Sequence, residues 1–423
     1  MTANRSSDGN PYEVVVVGGG PAGATAALVL AQAGRRVLLL DAAEVSATST
    51  CAVSADAVSA DVSLSEGAGL RGTFKIGEAL PPAARPLLSD LGIWEHFQTD
   101  PHLPCYGNLS AWGSSHLDST DFIYDPQGHG WHLDRARFDA LLRARAQYTG
   151  AEVRGATVVK SVVHCRKAGS HGEHGWCLTL TGSEGEAQVG CRWLIDASGR
   201  RCLVARSQGR RRRVDDRLVC FFAVFNPDKR LATADRDTRT LIEATPNGWW
   251  YTALLPTGGR VVAYLSDADL VVPRILLTPE GFDSVLKQTK HVCAVVTAAG
   301  YALGSPLRGI NAQSACLEHC VGEGWLATGE AALCFDPLSS QGILNALYTG
   351  MEAGRSLHLH LSGDATALPA YNSRLAAIYN AYWRNRGLYY SAEARWANHP
   401  FWQRRRPAGM KHTRVAPGST LPQ

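Results

Sequence analysis

Apolar and polar positions follow three rhythms along this chain. Val14–Val17 is an unbroken β-branched run closed by Gly18-Gly19-Gly20, which predicts a short strand buried on both faces. The Ala- and Leu-rich segment Pro21–Gln32 predicts a helix that Gly34 stops, and Val37–Leu40 predicts a second buried strand ending in Asp41. Residues 42–72 are rich in Ala, Ser and Val without a period and read as a loop or mobile cover. From Lys75 to Phe97 a turn leads into a helix whose Leu87, Leu88, Leu91 and Ile93 face one way. A second helix starts near Asp134 as N-cap. Strand-like alternation runs from Val153 to Val163 and from Gly175 to Leu180, and "CRWLID" before Ala197 returns to a buried strand. Between Leu218 and Leu270 apolar and polar positions alternate, with turn signals at Pro246-Asn247-Gly248 and Gly258-Gly259, the pattern of an antiparallel sheet. A last strand and glycine-rich turn open a long helix, and the tail beyond Arg406 is polar and loose.

The first of these segments carries candidate chemistry. Gly18, Gly20 and Gly23 occupy the G-x-G-x-x-G positions between a strand and a helix, with Pro21 and Ala22 completing the turn. The three glycines serve the tight turn, backbone approach to a pyrophosphate, and close packing of helix on strand. A pyrophosphate placed there meets the free N–H groups and the positive dipole end of the helix. Asp41 lies about 20 residues on, where an acid bonds ribose hydroxyls. Strand, glycines, helix, strand and acid in this order predict a dinucleotide-binding unit; the alternative is a doubly wound core without a ligand.

The order of segments predicts an α/β protein of several parts. A discontinuous dinucleotide-binding domain covers residues 1–104 and 125–205 and resumes at 311–362. A β-sheet substrate domain, 105–124 and 206–310, is inserted into it, and C-terminal helices (363–406) precede a flexible tail (407–423).

Composition narrows the partners. The 423 residues suffice for two domains, and 45% hydrophobic with 19% charged residues describes a globular protein. A net charge of +4 is too mild to argue for nucleic acid or an anionic membrane. The cluster Arg210-Arg211-Arg212-Arg213 reads as a solvated loop, or as a dock for the phosphates of a reduced nicotinamide. No apolar run approaches the roughly 20 residues of a membrane span, and the polar N-terminus lacks signal-peptide character. Eleven cysteines without a repeating spacing fit reduced thiols and a cytoplasmic location. Cys316 and Cys320 flanking His319 are too isolated for zinc, so no metal is expected.

Three motifs in register, GGGPAG, "DASGR" (Asp196–Arg200) and "GEAALCFDPLSSQG" (Gly329–Gly342), resemble the FAD-dependent monooxygenases of the p-hydroxybenzoate hydroxylase type and their relatives, the flavin-dependent halogenases. The resemblance implies a Rossmann-like FAD-binding domain of the glutathione reductase type with an inserted antiparallel β-sheet substrate domain and a C-terminal helical segment. It places Glu330 where the family has an Asp on the ribitol, and Pro337, Gln341 and Gly342 where its turn meets the flavin ring. It matches Arg135 with the arginine that reaches the cofactor. Glu330 is one methylene longer than the family residue, and Gln341 replaces a smaller one. Longer blocks, among them "GEALPP", "GWWYTALLPTGGRVVAYLSDADL" and "RWANHPFWQRR", are similar to tryptophan-hydroxylating flavoproteins encoded beside quinone-cofactor amino acid oxidases.

That resemblance implies hydroxylation of an indole, free or in a protein or peptide, through a flavin 4a-hydroperoxide. Electrons come from NADH or NADPH, directly or through a partner flavin reductase. Two rivals stand beside it: a halogenase of an aromatic small molecule, and a maturation factor that binds a partner without oxygenase turnover. Tryptophan halogenases carry a lysine some way after the GE turn and a W-x-W-x-I-P motif. Here no lysine occurs from Ile76 to Val159, Trp249 and Trp250 are adjacent, and Lys75 reads as a surface residue. Trp249, Trp250 and Tyr251 admit two readings, pocket wall or sheet core. Glu78 faces the flavin or caps a helix, His132 reads as a satisfied histidine rather than a proton shuttle, and Trp396 and Trp402 read as packing anchors. No side chain is assigned as catalytic acid or base.

Overall fold

The Val14–Val17 run is the middle of a sheet. In the computed structural model, which describes residues 12–43, 74–166, 174–183, 185–228 and 235–406, strand β1 (Tyr12–Val17) pairs in parallel on both edges. Its neighbours are β2 (Val37–Leu40) and β3 (Gly185–Asp196). Beyond β3 lies the parallel β4 (Trp325–Ala327), and beyond β2 the short strand Glu152–Arg154. Val14, Val15, Val16 and Leu38–Leu40 are buried on both faces, which is why their sequence is a run and not an alternation. An antiparallel arm, Val158–Arg166 and His174–Gly182, extends β3 outward.

Three helices cover this sheet. Helix α1 (Pro21–Gln32) lies against α2 (Arg135–Tyr148), where Asp134 is the N-cap and accepts from the Ala136 and Arg137 amides. It also packs on α3 (Gly342–Leu361). A Cβ on Gly350 would lie 2.3 Å from the Ala22 carbonyl oxygen, so only glycine admits this crossing. Ala22 meets Gly350, Val29 meets Gly354, and Arg35 reaches His358 and Ser362, so α1 and α3 run in the same direction. Eight residues of α3 precede the level of Ala22, the second residue of α1, placing the N-terminus of α3 about 10 Å beyond that of α1 on the same end.

The Leu218–Leu270 alternation forms a second sheet, as the period of two requires. Strands Leu218–Asn226, Arg260–Asp267, Gly248–Leu254 and Thr240–Thr245 are antiparallel in that spatial order. Thr240–Thr245 then pairs in parallel with Gly107–Ala111, which forms a hairpin with Asp118–Asp121. One face packs on Phe282, Leu286 and Val292 from short helices; the other packs on Tyr390, Phe401 and Trp402. Tyr390 lies on α4 (Ala367–Ala392), the 26-residue C-terminal helix.

Two local expectations change. The Lys75–Phe97 helix is two helices, Ala84–Asp90 and Trp94–Thr99, parted at Gly92, which takes a φ of +68°. The Val153–Val163 alternation is two strands, because the chain turns at Gly155-Ala156 with Ala156 at φ +47°. The cover at residues 44–72 and the tail beyond 406 lie outside the described residues.

Candidate cofactor and active site

The glycine loop divides into positions that touch protein and positions that touch nothing. Gly18, at φ +111°, would carry a Cβ 2.2 Å from the Ala197 carbonyl oxygen, and a Cβ on Gly23 would lie 1.9 Å from that of Gly18. Both are closed by the second motif or by the loop itself. Gly20, the N-cap of α1, has no atom of the described residues within 4 Å of its would-be Cβ. Pro21 takes the first helical position, where its missing N–H costs nothing, and Ala22 is buried against Gly329 of the third motif.

Asp41 ends β2 and is half-buried. Its Oδ1 accepts from the Ala43 amide, and its Oδ2 lies 3.2 Å from Arg143 Nη1, which also donates to the Gly19 carbonyl. Arg143 is the residue that sequence reading missed. The available signal was spacing: Arg135, Asp139 and Arg143 stand at i, i+4 and i+8 on α2 and share one face. On that face Arg135 donates to the Gly77 carbonyl (2.7 Å) and pairs with Asp139 (3.1 Å). Lys75 Nζ lies 2.9 Å from the same carboxylate. Burial pushes Asp139 up, yet Arg135 and Lys75 together hold it below the usual carboxylate range. Arg135 thus spends its guanidinium on Gly77 and Asp139, and Arg143 is the arginine beside Asp41.

The second motif is structural. Buried Asp196 accepts from the Ser198 amide and hydroxyl on one oxygen and from the Val204 and Ala205 amides on the other. In the third motif Glu330 is half-exposed and pairs with Arg200 Nε at 3.1 Å. Arg212 donates to the carbonyls of both Arg200 and Glu330. Pro337 opens a single helical turn capped by Asp336, whose Oδ1 accepts from the Leu338 amide. Gln341 is the N-cap of α3, and Gly342 has, like Gly20, no neighbour within 4 Å of a would-be Cβ.

Glu78 is buried at the turn before the short strand Ala79–Leu80. It accepts from the Gly77 amide and, on both oxygens, from the Tyr251 hydroxyl at 3.0 and 3.1 Å. Burial raises its carboxyl above the usual range and holds the Tyr251 phenol well above 10. Glu78 therefore joins the first sheet region to the second and caps no helix. Tyr251 and Trp249 lie on one face of their strand and Trp250 on the other. Trp250 is sheet core, stacked on Tyr264 at 4.8 Å. Trp249 Nε1 donates to Tyr390 (3.0 Å), whose hydroxyl donates to Asp336 Oδ2 (2.7 Å). The Asp336 amide donates to Tyr382, and Arg386 of α4 lies 3.4 Å from the Asp336 carboxylate. A buried chain of hydrogen bonds thus ties the second sheet and α4 to the Pro337 turn.

His132 is a satisfied core residue, with Nδ1 2.8 Å from the Leu254 carbonyl and Nε2 3.0 Å from the Thr240 hydroxyl. Burial pushes it down to about 4. Trp402 is wholly buried and donates to the Thr245 carbonyl, with Trp396 tilted against it, so both are packing anchors. Cys316 and Cys320 are buried free thiols. Among the described residues no group of three metal-ligating side chains comes together, and no helix is long and apolar enough to cross a membrane.

Two helix N-termini on the same end, one beside a carboxylate, have clear space at Gly20 and Gly342 among the described residues, and this fits a long dinucleotide better than any compact ligand. Comparison with known proteins agrees. A family model described as tryptophan halogenase matches residues 113–416, and one described as pyridine nucleotide-disulphide oxidoreductase matches 12–76. The chain belongs to the tryptophan halogenase family. It is 31% identical over 406 residues to the putative FAD-dependent oxidoreductase LodB of Marinomonas mediterranea, covering 93% of this chain and 96% of LodB. Among solved structures, the myxobacterial chondrochloren halogenase CndH aligns with a TM-score of 0.76 at 22% identity, covering 95% of this chain and 87% of CndH. QhpG, a peptidyl tryptophan dihydroxylase essential for tryptophylquinone cofactor biogenesis, aligns with a TM-score of 0.70 at 21% identity, covering 96% of this chain and 81% of QhpG. This member of the tryptophan halogenase family is an FAD-dependent oxidoreductase of monooxygenase type.

Proposed function

We propose that this flavoprotein hydroxylates the indole ring of a tryptophan held in a protein or peptide. The observation that carries the reading is the state of Lys75. It is the one lysine beside the Gly77-Glu78 turn, no other occurs as far as Val159, and its ammonium pairs with Asp139 in the α2 network. An ammonium so engaged does not serve to carry a hypohalous oxidant. The names of LodB and QhpG support the oxidative reading, and the tryptophan substrate follows QhpG.

When bound, FAD supplies electron transfer and the activation of dioxygen. The chain's own residues position and seal it. The open Gly20 amide and the N-terminus of α1, with Pro21, Ala22 and Gly23, hold the pyrophosphate, and Asp41, oriented by Arg143, takes the ribose. Glu330 stands for the ribitol, and the Pro337–Gly342 turn, with Gln341, presents the N-terminus of α3 to the ring. Arg135 acts on the cofactor side through Gly77 and Asp139. The Tyr251 hydroxyl keeps its proton and donates it in a buried hydrogen bond to the Glu78 carboxyl, and the pair fixes the turn on which the substrate face rests. Electrons come from NADH or NADPH, directly or through a flavin reductase.

A halogenase is the second reading, favoured by the matching family model. Mass spectrometry of a co-expressed tryptophan-bearing oxidase precursor, with and without chloride and bromide, separates the two. Added oxygen at tryptophan, unchanged without halide, is expected. A chlorine or bromine isotope pattern that vanishes without halide would replace hydroxylation by halogenation, and turnover of free tryptophan alone would remove the protein substrate.

A further inference from the structure

Seven arginines fall between residues 200 and 213, and the structure uses only some of them. Arg200 and Arg212 bind Glu330 and neighbouring carbonyls, and Arg213 pairs with Asp215. Arg201, Arg206, Arg210 and Arg211 are exposed, and their side chains make no hydrogen bond or ion pair among the described residues. Gly209, at φ +68°, reverses the chain after the short helix Leu203–Ser207. Gly209, Arg210 and Arg211 then line a polar cleft with Glu318 and His319. Its volume of about 200 Å³ has room for roughly six waters, which suits a phosphate group and excludes a whole dinucleotide.

The cleft adjoins the end of the sheet that faces the third motif. The Ala327 amide at the end of β4 donates to the Cys320 carbonyl, and Leu317 donates to Ala332, two residues after Glu330. Arg212, the next residue after the cleft's arginines, holds the Glu330 carbonyl itself. An anion anchored at Arg210 and Arg211 thus lies on the Glu330 side of the proposed cofactor site, across the sheet from Asp41.

We propose that the Arg210–Arg211 cleft binds the 2′-phosphate of a nicotinamide nucleotide and so selects NADPH over NADH as electron donor. The inference rests on the oxidoreductase reading above. A phosphomonoester carries nearly two negative charges and three acceptor oxygens, which two guanidinium forks match in bidentate geometry. Glu318 offsets one positive charge, so the dianion of a phosphomonoester gains where the singly charged diesters of NADH gain little. The walls of the cleft favour a small phosphate over the flat face of an acidic protein.

Isothermal titration of the FAD-loaded protein with NADPH, NADH, 2′-AMP and inorganic phosphate tests this directly. NADPH is expected to bind at least tenfold more tightly than NADH, and 2′-AMP to compete with it. Arg210→Ala and Arg211→Ala should each raise the Kd for NADPH about tenfold, leaving NADH binding, melting temperature and FAD content unchanged. Equal affinity for the two nucleotides overturns the proposal, as does binding of inorganic phosphate without 2′-AMP, which would mark an anion site only. Variants that keep NADPH binding but lose salt-sensitive electron transfer from a flavin reductase would assign the arginines to a protein partner instead. Failure of the hydroxylase reading would appear in the product mass and leave these constants untouched.

Discussion

Gly18–Asp41 and Trp249–Tyr251 are both short, marked stretches of sequence, and the structure uses them in opposite ways. The first works through backbone: a left-handed glycine, a close carbonyl contact and an open helix N-terminus, with its main elements within one βαβ unit. The second works through side chains, and three consecutive residues go to separate ends. Trp250 packs under Phe282, Trp249 reaches Tyr390 on α4, and Tyr251 reaches Glu78 some 170 positions away in the chain. Function written in backbone geometry stays local, whereas function written in side-chain contact is assembled from distant segments.

The largest expected effect breaks the first region in two different ways. Gly18→Ala forces a Cβ against Ala197 at a left-handed φ and should destabilise the protein by about 3 kcal/mol or more, giving insoluble or colourless protein. The Cβ of Gly20→Val meets no atom of the described residues within 4 Å, so the variant should fold with little change in melting temperature and yet purify without flavin absorbance. If both variants retain FAD, the glycine loop is not where the pyrophosphate lies.

Asp336→Asn tests the side-chain region at its hub. It leaves buried Arg386 with Asp216 as its one remaining carboxylate and weakens the acceptor for Tyr390, at about 2–3 kcal/mol in denaturant unfolding. The visible spectrum of the FAD that remains bound should also shift, because an Asn that keeps the cap on the Leu338 amide turns its NH2 toward the Tyr390 hydroxyl and Arg386 and so disturbs the Pro337 turn. A stability loss with an unchanged flavin spectrum would show that α4 supports the fold without reaching the cofactor turn.

His132 supplies a pH signature from the join between the regions. Burial holds it at about 4 in the folded protein, while the unfolded chain takes up its proton near 6.5. Stability should therefore fall as pH drops from 6.5 to 4, by up to about 3 kcal/mol from this residue. Replacement by Phe should flatten that slope in urea titrations at the two pH values, and an unaltered slope would place the acid sensitivity elsewhere.

Smaller effects follow around the Glu78 turn. Tyr251→Phe removes the donor to Glu78 and should cost about 1–2 kcal/mol, with a larger fractional loss of product than of bound FAD. Lys75→Met should change stability by less than about 1 kcal/mol, since Arg135 still neutralises Asp139 and the lysine is more than half exposed. It should keep most hydroxylation activity; its loss together with halide-dependent product would restore the halogenase reading.

Legibility followed the same division. The strands Val14–Val17 and Val37–Leu40, helix Pro21–Gln32 and the Asp134 cap stood in the sequence, because buried runs, helix formers and caps are decided by near neighbours. Arg143 did not stand out, because an arginine on a helix is ordinary until its third turn is known to face Asp41. Asp336 was hidden inside a motif read for its proline and glycines, and its partners Tyr390, Tyr382 and Arg386 lie on a helix with no motif of its own.

Residue identity at fixed spacing was enough for the dinucleotide loop, the period of each sheet and the absence of a lysine from Ile76 to Val159. It took the folded chain to send Trp249 and Trp250 to opposite faces and to bring Glu78 to Tyr251. Folding also left Arg210 and Arg211 unpaired in a cleft while their neighbour Arg212 was taken up by Glu330. A strand's alternation sends adjacent side chains in opposite directions, and what each meets there is set by segments the local sequence does not contain.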